Sequence, residues 1–293
     1  MFIITNLLSL MEKKCPKHLL RNLYSGPELT IKEAKCIMSK FDGGSVDLEK
    51  DEINCIAKIQ LNNPRVKNAI SGKMMIDLEK IVDELESWNE CKGAILYGAD
   101  GNFCSGGDLN MAKKANTAKD GYAMGTYMHY ILDRFQKLPF ITVAYIDGTG
   151  ALGGGAELCT ACDYRLINHS ATIGFVHARM GVIPAWGGAG RLMKIVGHQK
   201  TMDLLLEAKP IPATHALQMG LIDGIVNTFS DAVHWLLHRV SKYPIDVINA
   251  IKYLRITYHQ CPETTSLMER KIMAPLWGGP ANQAALQQYI KHK

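Results

Sequence analysis

The stretch DGTGALGGGAE, residues 147–157, lies between two segments of different character. Residues 140–146 before it are apolar and rich in β-branched side chains, which predicts a strand. Residues 158–162 after it continue an Ala-rich run that predicts a helix. Glycines in such a strand-to-helix loop allow backbone angles that other residues avoid, and they let a ligand approach closely. The first N–H groups of the helix have no intrahelical partner, so they are available to that ligand.

A second glycine-rich loop, NFCSGGDL at residues 102–109, follows another short apolar run at residues 93–97. It is also predicted to lead from a strand into a helix. Two loops of this kind can aim two backbone N–H groups at one oxygen atom, which forms an oxyanion hole. Tight packing of a helix on a sheet is the alternative interpretation of either loop taken alone.

The spacing of the glycines argues against nucleotide-binding loops. Neither loop contains GxxxxGK[ST], so no P-loop is predicted. Gly148, Gly150 and Gly153 match GxGxxG, but they lie in the middle of the chain. Asp163 also follows too early to be the acid that binds a ribose. A dinucleotide site is therefore not predicted.

Strand and helix patterns alternate on both sides of the two loops, which predicts an α/β fold with a covered sheet. The predicted strands are residues 55–61, 93–97, 140–146 and 164–167. From residue 197 onward strand signals nearly vanish and helical spacing dominates. The sequence thus predicts three regions: an N-terminal extension (1–45), an α/β core (46–197) and a helical C-terminal region (198–293).

Composition and charge narrow the classes of function. The chain has 293 residues, of which 47% are apolar and 21% charged, and this is enough for one large core. The net charge of +5 comes from 33 basic and 28 acidic residues that are interspersed. This mild positive charge is compatible with the attraction of an anionic small molecule. The sequence lacks the concentrated stripe of basic residues that is typical of a nucleic-acid-binding protein. No run of 18 apolar residues is present, so no membrane association is expected.

The eight cysteines follow no regular framework. They are predicted to be reduced, mostly buried thiols in a reducing compartment. Cys159 and Cys162 have CxxC spacing, but no second pair accompanies them, so no metal site is predicted. Residues 2–11 are apolar without a preceding basic region, which argues against a secretory signal. A cytosolic location is expected, with the mitochondrion as the alternative because basic residues follow this segment.

The loops and their flanks resemble the enoyl-CoA hydratase/isomerase, or crotonase, superfamily over about Val46 to Arg255. The motifs that carry the resemblance are Leu61–Pro64 with Asn68-Ala69, Phe103–Leu109, Ala151–Leu158, Ala161–Asp163, Met180–Pro184, Gly187-Gly188 and Arg191-Leu192. The resemblance implies a ββα spiral core and a C-terminal helical region used in trimer contacts, so a homotrimer or hexamer is expected. It also implies an acyl-CoA thioester substrate, with no cofactor apart from the CoA that belongs to that substrate.

The resemblance implies roles for individual residues. The two N–H groups that bind the thioester carbonyl are assigned to Ser105 and Gly154. The residues assigned to substrate binding are Gly106, Asp108, Gly153, Trp186 and Gly187. The residues assigned to CoA binding are Arg65, Lys67 and Ala69. Packing between helix and sheet is the alternative for Trp186, and a solvated loop charge is the alternative for Arg65 and Lys67.

The catalytic acids depart from the hydratase pattern. A hydratase-like member carries one Glu at the end of the second loop and another about 20 residues later. Glu157 occupies the first position, but His177 occupies the second. Hydration needs one carboxylate to activate water and another for the α-proton, so hydratase and isomerase activities are both in doubt. The alternative for His177 is a loop histidine with a structural role.

Decarboxylation of a malonyl-type thioester requires an oxyanion hole but no base, because no proton is removed. Glu157 and His177 are then the candidates for steering the carboxylate or supplying a proton. Four stretches resemble the branch of the superfamily that removes CO2 from ethylmalonyl-CoA, and less readily from methylmalonyl-CoA, as a metabolite repair step: Gly43–Leu48, Phe175–His177, Ile183–Gly188 and Leu276–Asn282. The alternatives are a hydratase, isomerase or acyl-CoA hydrolase, and a non-catalytic or RNA-binding member.

Overall fold

The computed structural model describes residues 24–260, 265–277 and 279–287. Nine strands are found in these residues: β1 (Ser45–Asp51), β2 (Ile56–Asn62), β3 (Gly93–Gly98), β4 (Ile141–Ile146), β5 (Ala151–Leu152), β6 (Tyr164–Asn168), β7 (Thr172–Gly174), β8 (Ile211–Pro212) and β9 (Gly224–Val226). The main sheet has the order β1-β2-β3-β4-β6-β9, and β5-β7-β8 form a second sheet. In the main sheet only the β1–β2 pair is antiparallel.

Twelve α-helices accompany these sheets in the described residues: α1 (Ile31–Met38), α2 (Gly72–Glu86), α3 (Leu109–Lys114), α4 (Ala118–Lys137), α5 (Gly154–Cys159), α6 (Gly188–Val196), α7 (His198–Glu207), α8 (Ala213–Gln218), α9 (Phe229–Val240), α10 (Ile245–Gln260), α11 (Thr265–Met273) and α12 (Pro280–Gln287). Several begin at Ser or Thr side chains that cap a free backbone N–H, such as Ser71 for α2 and Thr117 for α4. The predicted α/β class is confirmed.

The central strands β3 and β4 are mostly apolar because both faces of the main sheet are covered. On β3, Leu96 belongs to the larger core with the apolar faces of α2 and α4. Its neighbour Ile95 points to the opposite face and packs in the smaller core, which includes Leu236 of α9. The predicted strands at 55–61, 93–97, 140–146 and 164–167 correspond to β2, β3, β4 and β6. Each loop that follows β3 or β4 therefore emerges from a largely buried strand.

The C-terminal region is not purely helical, in contrast to the expectation. It contains β8 and β9, and β9 pairs with β6 at the edge of the main sheet. These strands have two and three residues, which is too short for an alternating pattern to emerge in the sequence. The main sheet therefore draws on both the predicted core and the predicted C-terminal region.

Part of the predicted N-terminal extension belongs to the core. Residues 1–23 lie outside the described part of the chain. Helix α1 packs against α2 and α4, and its Ala34 and Met38 are buried. Lys35 of the same helix forms an ion pair with Glu79 of α2. The extension thus includes a helix that covers the main core.

A buried ion pair fastens α10 to the sheet. The Lys252 ammonium lies 2.6 Å from Asp163 Oδ2, and the Arg255 guanidinium lies 2.7 Å from Asp163 Oδ1. The same carboxylate accepts the backbone N–H of Thr142 on β4. Burial lowers the pKa of Lys252, and the charge of Asp163 opposes that effect. Within the described residues, no helix is long and apolar enough to cross a membrane.

Candidate active site

The two glycine-rich loops lie side by side. The backbone N–H of Leu152 donates to the carbonyl of Cys104 at 3.0 Å, and the N–H of Cys104 donates to Gly150 at 3.2 Å. Gly155 is pressed against the same segment, because a Cβ at this residue would lie 2.3 Å from the Cys104 carbonyl oxygen. The sequence prediction that the two loops meet is therefore confirmed.

Gly106 and Gly153 allow the close approach of the loops. Both have positive φ angles, +112° and +54°, which side chains disfavour. A Cβ on Gly106 would lie 3.0 Å from the Leu152 carbonyl oxygen and 3.4 Å from the Gly154 nitrogen. The two residues assigned to substrate binding thus shape the backbone around the Gly154 N–H. A direct substrate contact by either one stays a prediction.

The assignment of Ser105 to the oxyanion hole is wrong, because its backbone N–H already has a partner. That group donates to the Lys67 carbonyl at 3.0 Å, and the Ser105 hydroxyl donates to Val66 at 2.9 Å. Among the backbone hydrogen bonds of the described residues, the next N–H that donates in this loop is that of Asp108, to Ile70. The N–H groups of Gly106 and Gly107 lie between these two, and that of Gly107 is the candidate donor because Gly107 faces the same Trp186 ring as Gly154.

Gly107 and Gly154 face the same aromatic ring. A Cβ on Gly154 would lie 2.5 Å from Cη2 of Trp186, and a Cβ on Gly107 would lie 3.8 Å from Cζ2 of that indole. Gly154 is the first residue of α5, so its N–H has no intrahelical partner. Trp186 is only 2% exposed, and its indole packs directly against this pair of glycines. The structure therefore brings together Gly107, Gly154 and Trp186.

The Glu157 carboxylate lies in a cradle of backbone N–H groups. The residue is 1% exposed. Its Oε2 accepts the N–H groups of Trp186 at 2.8 Å and Gly188 at 2.9 Å, and its Oε1 accepts the N–H of Ala185 at 3.3 Å. A Cβ on Gly188 would lie 2.4 Å from Glu157 Cγ, so the cradle closes only around glycine. Three backbone N–H groups therefore fix the orientation of this carboxylate.

His177 completes the cradle from the short 3-10 helix Val176–Met180. Its Nε2 lies 3.0 Å from Glu157 Oε1. With an ionised Glu157 as the acceptor, the imidazole would donate through a hydrogen on Nε2. The other ring nitrogen, Nδ1, is buried and has no hydrogen-bond partner among the described residues. A buried nitrogen without a partner is typical of a group that meets a ligand rather than of a structural loop histidine.

Asp108 and Gly187 have structural reasons for their positions. Asp108 Oδ1 accepts the N–H of Asn110 at 2.6 Å and that of Met111 at 3.4 Å, which caps the N-terminus of α3. This cap accounts for the burial of Asp108 without a substrate contact.

Gly187 has φ +80°, and a Cβ there would lie 2.7 Å from Nη1 of Arg191. The turn at Gly187 directs the N–H groups of Trp186 and Gly188 toward the Glu157 carboxylate.

The three residues assigned to CoA binding lie beside the first loop. Arg65 and Lys67 are exposed, whereas Ala69 is buried. The hydrogen bonds of Ser105 to the carbonyls of Val66 and Lys67 fasten this segment to the loop. Two residues with exposed cationic side chains therefore belong to a segment that is attached to the first loop. Their contact with CoA stays a prediction.

The cysteines near the site are buried thiols. Burial raises the pKa of Cys104 to about 12 and that of Cys159 to about 12. Cys162 of the CxxC pair is also buried, and no group of three metal-ligating side chains is found in the described residues. Cys15 and Cys261 lie outside the described part of the chain.

These raised pKa values predict resistance to alkylation. Treatment of the native protein with iodoacetamide at pH 8 is expected to label the exposed Cys36 and to leave Cys104 and Cys159 unlabelled in peptide mass spectra. Since thiols in the unfolded chain ionise near about pH 8.5, these two residues stabilise the fold below that pH. Their contribution is lost as the pH rises toward the folded-state pKa. Rapid labelling of Cys104 at pH 8 would contradict the burial.

With this fold and site, the chain belongs to the enoyl-CoA hydratase/isomerase family, whose model matches residues 51–289. Two similar relatives are named ethylmalonyl-CoA decarboxylase. The one from Xenopus tropicalis is 41% identical over 302 aligned residues, covering 100% of this chain and 99% of its own length. The one from Danio rerio is 42% identical over 282 residues, covering 93% of this chain and 92% of its own.

Solved structures show the same fold. An enoyl-CoA hydratase from Thermoplasma volcanium GSS1 aligns with a TM-score of 0.76 at 26% identity, covering 84% of this chain and 97% of that one. An enoyl-CoA hydratase from Bacillus anthracis aligns with a TM-score of 0.78, covering 83% of this chain and 95% of that one. Its identity is 24%, so this likeness bears on the fold alone.

Proposed function

We propose that this protein removes CO2 from ethylmalonyl-CoA and, less readily, from methylmalonyl-CoA. The observation that carries the proposal is the pair formed by the buried Glu157 and the half-buried His177. The carboxylate of this pair is held by three backbone N–H groups, and the histidine takes the second acid position. The names of the relatives support the same reaction. The proposal includes a metabolite repair role, a cytosolic location and a homotrimer or hexamer.

The first step breaks the bond between the α-carbon and the carboxylate of the substrate. The electron pair of that bond moves into the thioester, whose oxygen becomes an enolate oxygen while CO2 leaves. The Gly107 and Gly154 N–H groups donate to this oxygen as its charge grows. Removal of one such donor typically lowers the rate by about 10²–10³. No base takes part in this step, because no proton is removed.

The second step delivers one proton to the α-carbon and gives the unbranched acyl-CoA. Glu157 accepts the Nε2 hydrogen of His177 and stabilises the ring when it is protonated at both nitrogens. The Nδ1 hydrogen of that imidazolium then binds the substrate carboxylate before it leaves and protonates the α-carbon afterwards. Solvent restores the proton to His177. Glu157 thus acts through His177, and its own negative charge disfavours retention of the substrate carboxylate.

The substrate brings its own CoA, and the proposal includes no further cofactor. Arg65 and Lys67 are proposed to meet the CoA phosphates, because both are exposed cations attached to the first glycine loop through the Ser105 contacts. Ala69 is proposed to line the same path. Exposed ion pairs of this kind add modestly to affinity and are weakened by salt.

Product analysis tests the proposed function. The purified chain is incubated with ethylmalonyl-CoA, and the expected result is CO2 together with butyryl-CoA in equal amounts. Methylmalonyl-CoA is expected to give propionyl-CoA with a lower kcat/KM. Crotonyl-CoA is the control, because a hydratase would convert it to the 3-hydroxyacyl-CoA. Hydration of crotonyl-CoA with no turnover of either malonyl-type substrate would overturn the proposal.

Trp186 is expected to set the size of the α-substituent that fits. Its ring packs against both Gly107 and Gly154, so it is close to the proposed position of the thioester. In a Trp186→Ala variant we expect kcat/KM to rise for propylmalonyl-CoA relative to ethylmalonyl-CoA, by about 10-fold or more. Trp235→Ala is the control, since this tryptophan packs on Tyr164 in the other core. An unchanged ratio in Trp186→Ala would show that the indole does not limit the substrate.

A further inference from the structure

The guanidinium of Arg191 lies behind the Glu157 carboxylate and joins the two backbone segments of the site. Arg191 is on α6 and is 9% exposed. Its Nη2 donates to the backbone carbonyl of Glu157 at 3.0 Å and to that of Trp186 at 2.9 Å. Its Nε donates to the hydroxyl of Thr160 at 2.9 Å. One planar side chain therefore binds both the helix that carries the acid and the turn that holds the carboxylate of that acid.

The charge of Arg191 is balanced without a direct ion pair. No carboxylate oxygen of the described residues lies within ion-pair distance of this guanidinium, in contrast to Arg165, which pairs with Asp223. The Glu157 carbonyl is instead one of the last in α5, where carbonyls lack intrahelical partners and carry partial negative charge. The Thr160 hydroxyl donates to that carbonyl at 2.6 Å and completes the network.

Both peptide groups of Trp186 are fixed by this arrangement. Its N–H donates to Glu157 Oε2, and its carbonyl accepts from Arg191. The direction of the Trp186 side chain follows from its backbone, and that side chain packs against Gly154. Without the hydrogen bonds of the Arg191 guanidinium to the Glu157 and Trp186 carbonyls, one end of the turn at residues 185–188 would no longer be held. The N–H groups around Glu157 and the indole over the glycines would then shift together.

We propose that Arg191 is a positioning residue that fixes Glu157 and Trp186 in the geometry needed for the proposed decarboxylation. This inference rests on the proposed function. Lysine cannot replace arginine in this role, because a single ammonium cannot bridge two carbonyls and a hydroxyl in one plane. The residue does not touch the substrate in this arrangement, so its loss affects the reaction step more than CoA binding.

The test compares Arg191→Lys with Arg165→Lys. Arg165 is a matched control, because it is 5% exposed and also donates to backbone carbonyls, those of Cys162 and Leu221. Both variants are expected to unfold at lower temperature. Only Arg191→Lys is expected to lower kcat for ethylmalonyl-CoA, by up to about 100-fold, because a misplacement of about 1 Å at a reacting group can cost about 10² in rate. Its KM is expected to change much less than its kcat.

A second measurement follows the Trp186 ring itself. The chain has 4 tryptophans, so the Trp186 emission is obtained as the difference between each protein and its Trp186→Phe counterpart. Arg191→Lys is expected to move this difference emission to longer wavelength, because the indole becomes more accessible to water. Arg165→Lys is expected to leave it unchanged.

The outcomes separate the two proposals. A kcat of Arg191→Lys within two-fold of the wild type, or a loss that Arg165→Lys matches, would overturn the positioning role. If the wild-type protein converts neither malonyl-type substrate, the proposed function fails. In that case the Trp186 difference emission still tests the role of Arg191. An emission of Arg191→Lys that is not shifted from that of the wild type would show that Arg191 does not hold Trp186.

Discussion

Replacement of Glu157 by glutamine is expected to lower kcat for ethylmalonyl-CoA by about 10²–10⁴, the range typical for loss of a positioned acid–base group. The carboxylate accepts three backbone N–H groups and faces Nε2 of His177. The amide of glutamine is neutral, so it no longer stabilises a protonated His177. The NH2 group of the glutamine side chain would also lie opposite a backbone N–H or His177 Nε2, where the carboxylate oxygen accepts. The KM for the CoA thioester is expected to change little, since Arg65 and Lys67 are unaltered.

Glu157→Gln is also expected to destabilise the fold by about 1–3 kcal/mol, because buried donors are left without an acceptor. Glu79→Gln is the matched control. Glu79 is another buried acid, 7% exposed, and lies on helix α2 rather than in a glycine loop. Its carboxylate accepts the Tyr127 hydroxyl at 2.7 Å. Both variants should melt at lower temperature, but only Glu157→Gln should lose turnover. Equal kcat values for Glu157→Gln and the wild type would refute its role.

The second large effect is expected at Gly154, where proline and alanine are compared. Both residues add a Cβ, which would lie 2.5 Å from the Trp186 ring, and overpacking of this kind costs about 1–3 kcal/mol. Only proline also removes the backbone N–H. Proline is tolerated at the first position of a helix, and Gly154 is the first residue of α5. The kcat of Gly154→Pro is therefore expected to be about 10²–10³ lower than that of Gly154→Ala.

The ratio between the two Gly154 variants cancels the Cβ contact with Trp186, which is common to both, and leaves the loss of the N–H together with the ring Cδ that replaces its hydrogen. Circular dichroism and melting curves verify that each variant is folded. If the ring contact prevents folding, the same pair is compared in a Trp186→Ala background, which opens the space. Equal kcat values for the alanine and proline variants would exclude the Gly154 N–H from the oxyanion hole.

Much of the fold could be predicted because it depends on local pattern. The strands β3 and β4 are mostly apolar runs between two covered sheet faces, and β2 alternates apolar with polar residues, so each has a clear local signal. The strand β1, which the sequence analysis did not predict, is partly exposed and alternates with charged residues. The strands β8 and β9 are too short to form a pattern. The capping box of Thr30 and Glu33 marks the start of helix α1 locally, but its place in the core depends on contacts with α2 and α4, which are distant in the chain.

The sequence by itself determined the fold class and the two glycine loops, which follow from residue types and spacing within single segments. The resemblance to the crotonase superfamily added the two acid positions, Glu157 and His177. Only the tertiary structure decided which N–H groups remain available. Ser105 donates to Lys67, so the candidate donor moves to Gly107. It also brought Arg191 beneath the acid. A hydrogen bond between segments distant in the chain leaves no trace in the spacing of either one, and such bonds determine which groups of this site can meet a substrate.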